Sequence, residues 1–220
     1  DRKNKNKPVL VDPTISWQPD ATLGKDTEPN ESVPDEVRGT IAWLTIGDVA
    51  GVESQIYIEF TGELDTLTAL GVTTGDMIDS SYILFTLYSQ IGAAFNVHVA
   101  RVTAVWDETT MTWNNKVAIN SPYDTVSVSA DGLKKFYTTP ILKAYRDGDY
   151  TNYGYAIIHL DAANQYNVAR SSDYGTVGDR PQDVIYYTIP ELTGIIPRVS
   201  KGVIQTNKAE GGSIGFRVRH

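Results

Sequence analysis

Between Gln55 and Phe60 the chain alternates: Ile56, Ile58 and Phe60 fall on one face, Tyr57 and Glu59 on the other. A period of two marks a strand buried on one side. Phe95–Val105 (FNVHVARVTAV) holds the alternation longer, and Tyr82–Tyr88 (YILFTLY) is apolar on both faces, as a central strand should be. Thr14–Trp17, Thr40–Ile46, Tyr123–Ser129, Gly154–Leu160, Asn164–Ser171 and Val184–Ile189 read as further strands. The last is bracketed by Arg180-Pro181 and Pro190, and proline does not sit inside a central strand. Many strands separated by turn residues predict an all-β, jelly-roll-like antiparallel β-sandwich.

One segment has a different period. In Thr139–Gly148 (TPILKAYRDG), Ile141, Leu142 and Tyr145 share a helical face. Thr139 is placed to cap it, Pro140 takes the first helical position and Gly148 stops it. This predicts one short helix closing an end of the sandwich. Residues 18–39, rich in Pro, Asp, Glu and Gly, read as a long loop, and 191–202 as a linker. Val203–Gln205 and Ser213–Val218 read as strands flanking a polar loop with Gly211-Gly212. The organisation expected is a basic arm at 1–12, a sandwich at 13–190 and a basic extension at 191–220. No internal repeat is present.

With 220 residues the chain can bury about 70% of its unfolded surface in one domain. It has no cysteine, so neither a disulfide framework nor a thiolate metal site is available. No run reaches the ~20 apolar residues of a helical membrane span. A first residue of Asp1 reads as a processed form. Asn30-Glu31-Ser32 is a lone glycosylation sequon, read as chance.

Charge is unevenly placed. Residues 1–7 carry +3 and residues 191–220 another +3, so the total of −8 leaves −14 on residues 8–190. Such a body repels phosphate backbones, which argues against a nucleic-acid partner. Basic ends on an acidic body point to ends that seek another copy's body.

Catalytic signatures fail on inspection. Gly211-Gly212-Ser213-Ile214-Gly215 matches the hydrolase elbow, yet only Phe216–His220 follow it, with no downstream acid. Asp147-Gly148-Asp149-Tyr150-Thr151-Asn152 offers oxygen ligands at short spacing, so Ca²⁺ is the one cofactor considered. The calcium-hand pattern lacks its glycine and its glutamate, and a loop stiffened by Asp and Asn side chains is the preferred reading. His98, His159 and His220 are scattered. Carboxylates at Asp48, Glu53, Glu59, Glu63 and Asp65 show no spacing that defines an acid–base pair. Tyrosines cluster at Tyr145, Tyr150, Tyr153 and Tyr155, and at Tyr186 and Tyr187; they read as core and rim, with sugar stacking as the alternative. The expectation is a protein that is not an enzyme.

The most distinctive stretch is WDETTMTWNNK, Trp106–Lys116. Read physically, Trp106 ends a strand and closes the core, Asp107 and the threonines fix a turn, Trp113 packs back, and Asn114-Asn115 supplies a turn. Several segments together resemble the DNRLRE, or disaggregatase-related, domain of secreted bacterial and archaeal proteins. The closest correspondence is W-x-E-x-x-x-T-W-N-N, carried here by Trp106, Glu108, Met111-Thr112, Trp113, Asn114 and Asn115, followed by Asn152-Tyr153-Gly154. The sequence departs from the family in having Val117 where proline is usual, and Tyr137 and Tyr145 near the positions of the usual Asp and Trp. The resemblance implies an extracellular or cell-surface β-sandwich, with carbohydrate-binding relatives.

Two functions are therefore expected. The first is a structural subunit that self-assembles into a surface filament or layer by donating a terminal strand to a neighbour's sheet edge. Its arm residues would be Arg2, Lys3, Lys5, Lys7, Val9, Leu10 and Val11, with Ile214, Phe216 and Val218 at the other end. The second is a carbohydrate-binding module for cell-surface or matrix polysaccharide. The net-acidic body favours neutral glycans there, unless Arg and Lys concentrate locally.

Overall fold

A computed structural model describes residues 13–159 and 164–189. Among them are strands β1 (Thr14–Trp17), β2 (Gly24–Thr27), β3 (Trp43–Val49), β4 (Val52–Ser54), β5 (Ile56–Phe60) and β6 (Ile78–Leu87). They continue with β7 (Phe95–Arg101), β8 (Asp124–Val128), β9 (Gly132–Tyr137), β10 (Tyr155–His159), β11 (Tyr166–Arg170) and β12 (Gln182–Tyr187). One sheet runs β2-β5-β10-β7-β8, the other β1-β12-β6-β11-β3-β4 with β9 also paired to β6. Their pairings are antiparallel. The architecture is the all-β sandwich expected.

β6 organises the larger sheet. Tyr82 lies opposite both Val184 of β12 and Tyr137 of β9, while Leu87 lies opposite Ala169 of β11 and Gly132 of β9. One edge of β6 is thus handed from β12 to β11, and the other belongs to β9. The inward positions of both sheets form one core: Leu44, Ile46, Ile56, Ile58, Phe60, Ile83, Phe85, Val97, Val99, Phe136 and Ile157 are all buried in it. This is why the period-two reading of β5, β6 and β7 succeeds.

Helix α2 (Thr139–Asp147) starts one residue earlier than the capping rule predicts. Thr138 is the N-cap, and no threonine side chain caps the helix. Strand β6 has claimed both hydroxyls instead: Thr139 Oγ1 accepts from Ser81 N at 2.8 Å, and Thr138 Oγ1 lies 2.9 Å from Ser81 Oγ. Gly148 ends the helix at φ 80°, as a left-handed C-cap should.

A second helix, α1 (Glu63–Ala69), corrects the expectation of one. Leu67 buries against Val72, Ile78, Leu142, Ile185 and Tyr187, with Ile15 of β1 at the margin. β2, β4 and β9 are also additions to the sequence reading, and the Thr40–Ile46 strand is shifted to Trp43–Val49. The proposed strands Val203–Gln205 and Ser213–Val218 lie outside the described residues.

Candidate functional site

The outward faces of the two sheets differ, and the difference locates the site. On the five-stranded sheet, Tyr57, Ala156 and Ile158 point outward yet are buried. Val102, Trp106 and Met111 cover them, with Val117, Ile119 and Tyr153 packed alongside. The distinctive stretch is therefore a third layer over that sheet. The expected strand through Val105 instead stops at Arg101, because Thr103 N turns aside to bond Ala118 O at 3.1 Å. Trp106 consequently lies outside the sheet, not at the bottom of the core.

Trp106 is 6% exposed, and its indole N–H donates to the Tyr153 carbonyl at 2.8 Å. Its ring meets Tyr57 edge-on at 6.0 Å, and Lys25 Nζ sits 4.2 Å from its centroid. Lys25 is held there by Glu59 at 2.6 Å.

The other motif residues brace this layer. Asp107 Oδ1 accepts from Thr109 N at 2.8 Å, and Asn115 bonds both Thr112 N and Thr110 O. Asn114 reaches across to Pro34 O and Asp35. Glu108 Oε2 accepts the Asp26 N–H of β2 at 3.1 Å. Gly39 lies so close to the Glu108 backbone that a Cβ there would collide with it. Asn152 Oδ1 accepts Gly154 N at 2.9 Å, and Gly154 sits at φ 84° against Ile58 O, where a Cβ has no room. Trp113 is only half-buried, with Lys116 Nζ 3.2 Å above its ring.

Carboxyl groups anchor the same loops from below. Asp26 is buried, accepts Ser172 N at 2.7 Å, and is pushed up to about 7, chiefly by burial. Glu28 is fully buried and accepts from Asn30 Nδ2 at 3.0 Å and Thr45 N at 2.6 Å, with Arg38 3.5 Å away. The amide of the sequon asparagine is thus committed to a buried acid and to Ser54 Oγ.

The outward face of the seven-stranded sheet carries a ring-lined platform. Arg170 of β11 is held between two phenols, its guanidinium carbon 3.5 Å from the Tyr88 ring centroid and 4.0 Å from that of Tyr174. Trp43, its register partner on β3, is 46% exposed. A second cation, Lys135 of β9, sits 4.1 Å over Tyr82, which is flanked by Tyr137 and Tyr186 at 6.0 and 6.2 Å. Among the described residues neither Arg170 nor Lys135 forms an ion pair with a carboxylate. The register sets their spacing. Lys135 is opposite Leu84, and Arg170 falls one step past the Ala169–Leu87 pair, opposite Thr86. Two strand spacings and two residue rises put their Cα atoms roughly 12 Å apart.

Of the tyrosines marked in the sequence, Tyr186 alone contributes to this platform. Tyr145, Tyr155 and Tyr187 are buried, and Tyr150 stacks under Arg101 at 3.7 Å. Tyr82, Tyr88, Tyr137 and Tyr174 lie outside the tyrosine clusters marked in the sequence. Two side-chain oxygens of the Asp147–Asn152 loop serve backbone: Asp147 Oδ1 accepts Gly75 N and Asn152 Oδ1 accepts Gly154 N. Among the described residues no three acid or histidine side chains are grouped to hold a metal ion, and no helix is long and apolar enough to cross a membrane. The arm residues Arg2, Lys3, Lys5, Lys7, Val9, Leu10 and Val11, and Ile214, Phe216 and Val218, lie outside the described residues.

No protein-family model matches the chain, and no curated protein matches it significantly.

Proposed function

We propose that this is a non-enzymatic, cell-surface or extracellular carbohydrate-binding protein, and that its ligand is an anionic polysaccharide lying across the outward face of the seven-stranded sheet. The observation that carries the reading is the pair of tyrosine-caged cations, Arg170 and Lys135, on the outward face of the seven-stranded sheet. Aromatic rings stack on the apolar faces of sugars, and a planar guanidinium takes a carboxylate or sulfate by two hydrogen bonds. Held by rings rather than by acids, neither cation is neutralised by a carboxylate among the described residues. The local concentration of Arg and Lys reverses the preference for neutral glycans that net charge alone suggested. A thermal-shift panel of acidic and neutral polysaccharides tests it: acidic polymers should raise the melting temperature and neutral ones should not. A panel with no shift at all would remove the reading.

A second reading, a self-assembling surface subunit, is favoured by one specific observation. The Pro13 carbonyl accepts the Tyr187 N–H at 3.3 Å, and Thr14 is the register partner of Tyr186. Among the described residues, the start of β1 and the end of β12 therefore lie side by side at one corner of the sandwich. Two basic terminal segments and an acidic body suit head-to-tail contact between copies, which extends into a filament when it does not close. Deleting residues 1–12 should abolish filaments seen by electron microscopy; unchanged assembly would exclude the arm.

A further inference from the structure

Tyr82 of β6 and Tyr186 of β12 project from the same outward face of the seven-stranded sheet. Tyr186 lies opposite Ser80, two residues before Tyr82, so the two phenols are diagonal neighbours across the strand pair. Their ring centroids are 6.2 Å apart, with the planes tilted by 39°. Their hydroxyl oxygens are only 3.5 Å apart. The rings therefore converge toward their phenol ends, and the carbons ortho to the two oxygens lie at the narrow end of the pair.

The surroundings suit one-electron oxidation. Tyr137 of β9 is the register partner of Tyr82, its ring edge-on at 6.0 Å, and it is 47% exposed. Tyr82 is 8% exposed, and Tyr186 is half-buried. An oxidant too large to reach Tyr82 can take an electron from Tyr137 or Tyr186, and the hole then has one ring contact to cross. Lys135 Nζ, 4.1 Å over the Tyr82 ring, opposes positive charge on that ring, so Tyr82 loses its phenolic proton together with its electron. The chain has no cysteine, so no thiol of its own competes to reduce a tyrosyl radical, and no disulfide staples the sandwich.

We propose that Tyr82 and Tyr186 are an oxidative cross-linking site, at which a peroxidase-type oxidant consuming hydrogen peroxide couples the two phenols into a dityrosine that staples β6 to β12. Each phenol gives up one electron and its hydroxyl proton, leaving a neutral radical whose unpaired electron is shared with the carbons ortho to the oxygen. One ortho carbon of each ring joins the other in a new C–C bond. The hydrogen on each of those carbons then moves to its ring's oxygen, which restores both phenols. In sum two electrons and two protons leave the pair, and they reduce one hydrogen peroxide to two waters. The link joins residues 104 apart in sequence, so it restricts the unfolded chain as a disulfide of that span would. The site is independent of which function the sheet face serves.

Horseradish peroxidase and hydrogen peroxide, applied to the folded whole chain at low protein concentration, test it. The expected product is a monomer lighter by two hydrogens, with dityrosine fluorescence and a proteolytic map that joins the peptides holding Tyr82 and Tyr186. Its melting temperature should rise by about 10 °C over that of the untreated protein. Y186F keeps the ring against Tyr82 and should fold, yet give no such monomer link, while Y137F should still form it. The wild-type peptide map decides the matter even if Y186F is unstable. Cross-links confined to dimers overturn the site, as does a monomer link that joins Tyr82 to Tyr137 and persists in Y186F. An equal yield of the 82–186 link from the urea-unfolded chain also overturns it, because the fold would then not be what brings the phenols together.

Discussion

The indole N–H of Trp106 ends on the carbonyl of Tyr153, 47 residues away, and this 2.8 Å bond ties the outer layer to the turn that starts β10. The ring is buried and its one polar atom is satisfied, which is the condition for an indole inside a fold. W106A should destabilise the protein by about 3–5 kcal/mol, through the lost ring and the cavity left over Tyr57 and Ile158. W106F keeps most of the ring but orphans the Tyr153 oxygen, and should cost about 1–3 kcal/mol. Urea denaturation of the two variants checks the order. Equal losses would show that the ring's packing adds nothing to the loss of the hydrogen bond that both variants share.

Gly154 is the other half of that joint. Its φ of 84° and its contact with Ile58 O leave no space for a side chain. G154A should therefore be strongly destabilising, by about 2 kcal/mol or more, since it combines backbone strain with a steric collision. G148A tests the strain alone: φ there is 80°, but nothing lies within 4 Å of the added Cβ. Its cost should be about 1 kcal/mol. Thermal unfolding of both variants separates the two contributions.

Asp26 makes stability depend on pH in an unusual direction. Its folded value is raised, to about 7 from an ordinary 3.8, chiefly by burial. A raised carboxyl binds its proton more tightly when folded, so its contribution is complete below the unfolded value and gone once pH has risen through the folded one. Between pH 4 and pH 7 the protein should therefore lose stability, by an amount on the order of 4 kcal/mol from this group. In D26N the amide oxygen still accepts Ser172 N, and the loss should be absent. Melting curves at pH 4.5 and 8 compare the two: D26N should gain on the wild type at pH 8 alone.

What the sequence showed and what it hid follow from where each residue finds its partners. Ile56, Ile58 and Phe60 alternate because a single face of β5 meets the core, and this local rule is legible in any window. Helix α1 was illegible because its first residue is a buried glutamate, satisfied by Asn152 and Tyr155 some 90 residues on. A glutamate next to Gly62 reads as surface until those partners are known. β9 escaped because its outward Leu133 and Lys135 and its inward Lys134 blur the period. The candidate site is harder still. Tyr88, Arg170 and Tyr174 meet only because β6 and β11 lie side by side, and cross-strand stacking leaves no mark in linear spacing. The Trp106 stretch was legible as a structural device, but its position over the outside of a sheet was not.

The Asn30 sequon makes a separate prediction. Its amide donates to Glu28 Oε1 and to Ser54 Oγ, so a glycan at that nitrogen and the buried Glu28 network exclude each other. N30A should leave Glu28 short of a donor and cost about 1–3 kcal/mol. Mass spectrometry of protein secreted from a glycosylating host should find Asn30 unmodified.

The platform itself is tested by calorimetric titration of a polyuronate and a neutral glucan into the wild type and into an R170A/K135A double variant, at low salt. The wild type should bind the polyuronate and ignore the glucan. The double variant should lose at least about tenfold in affinity, the equivalent of 1.4 kcal/mol, with its melting temperature nearly unchanged. Equal binding of both polymers by the wild type, or undiminished polyuronate binding by the double variant, would contradict the assignment of this face to an anionic glycan.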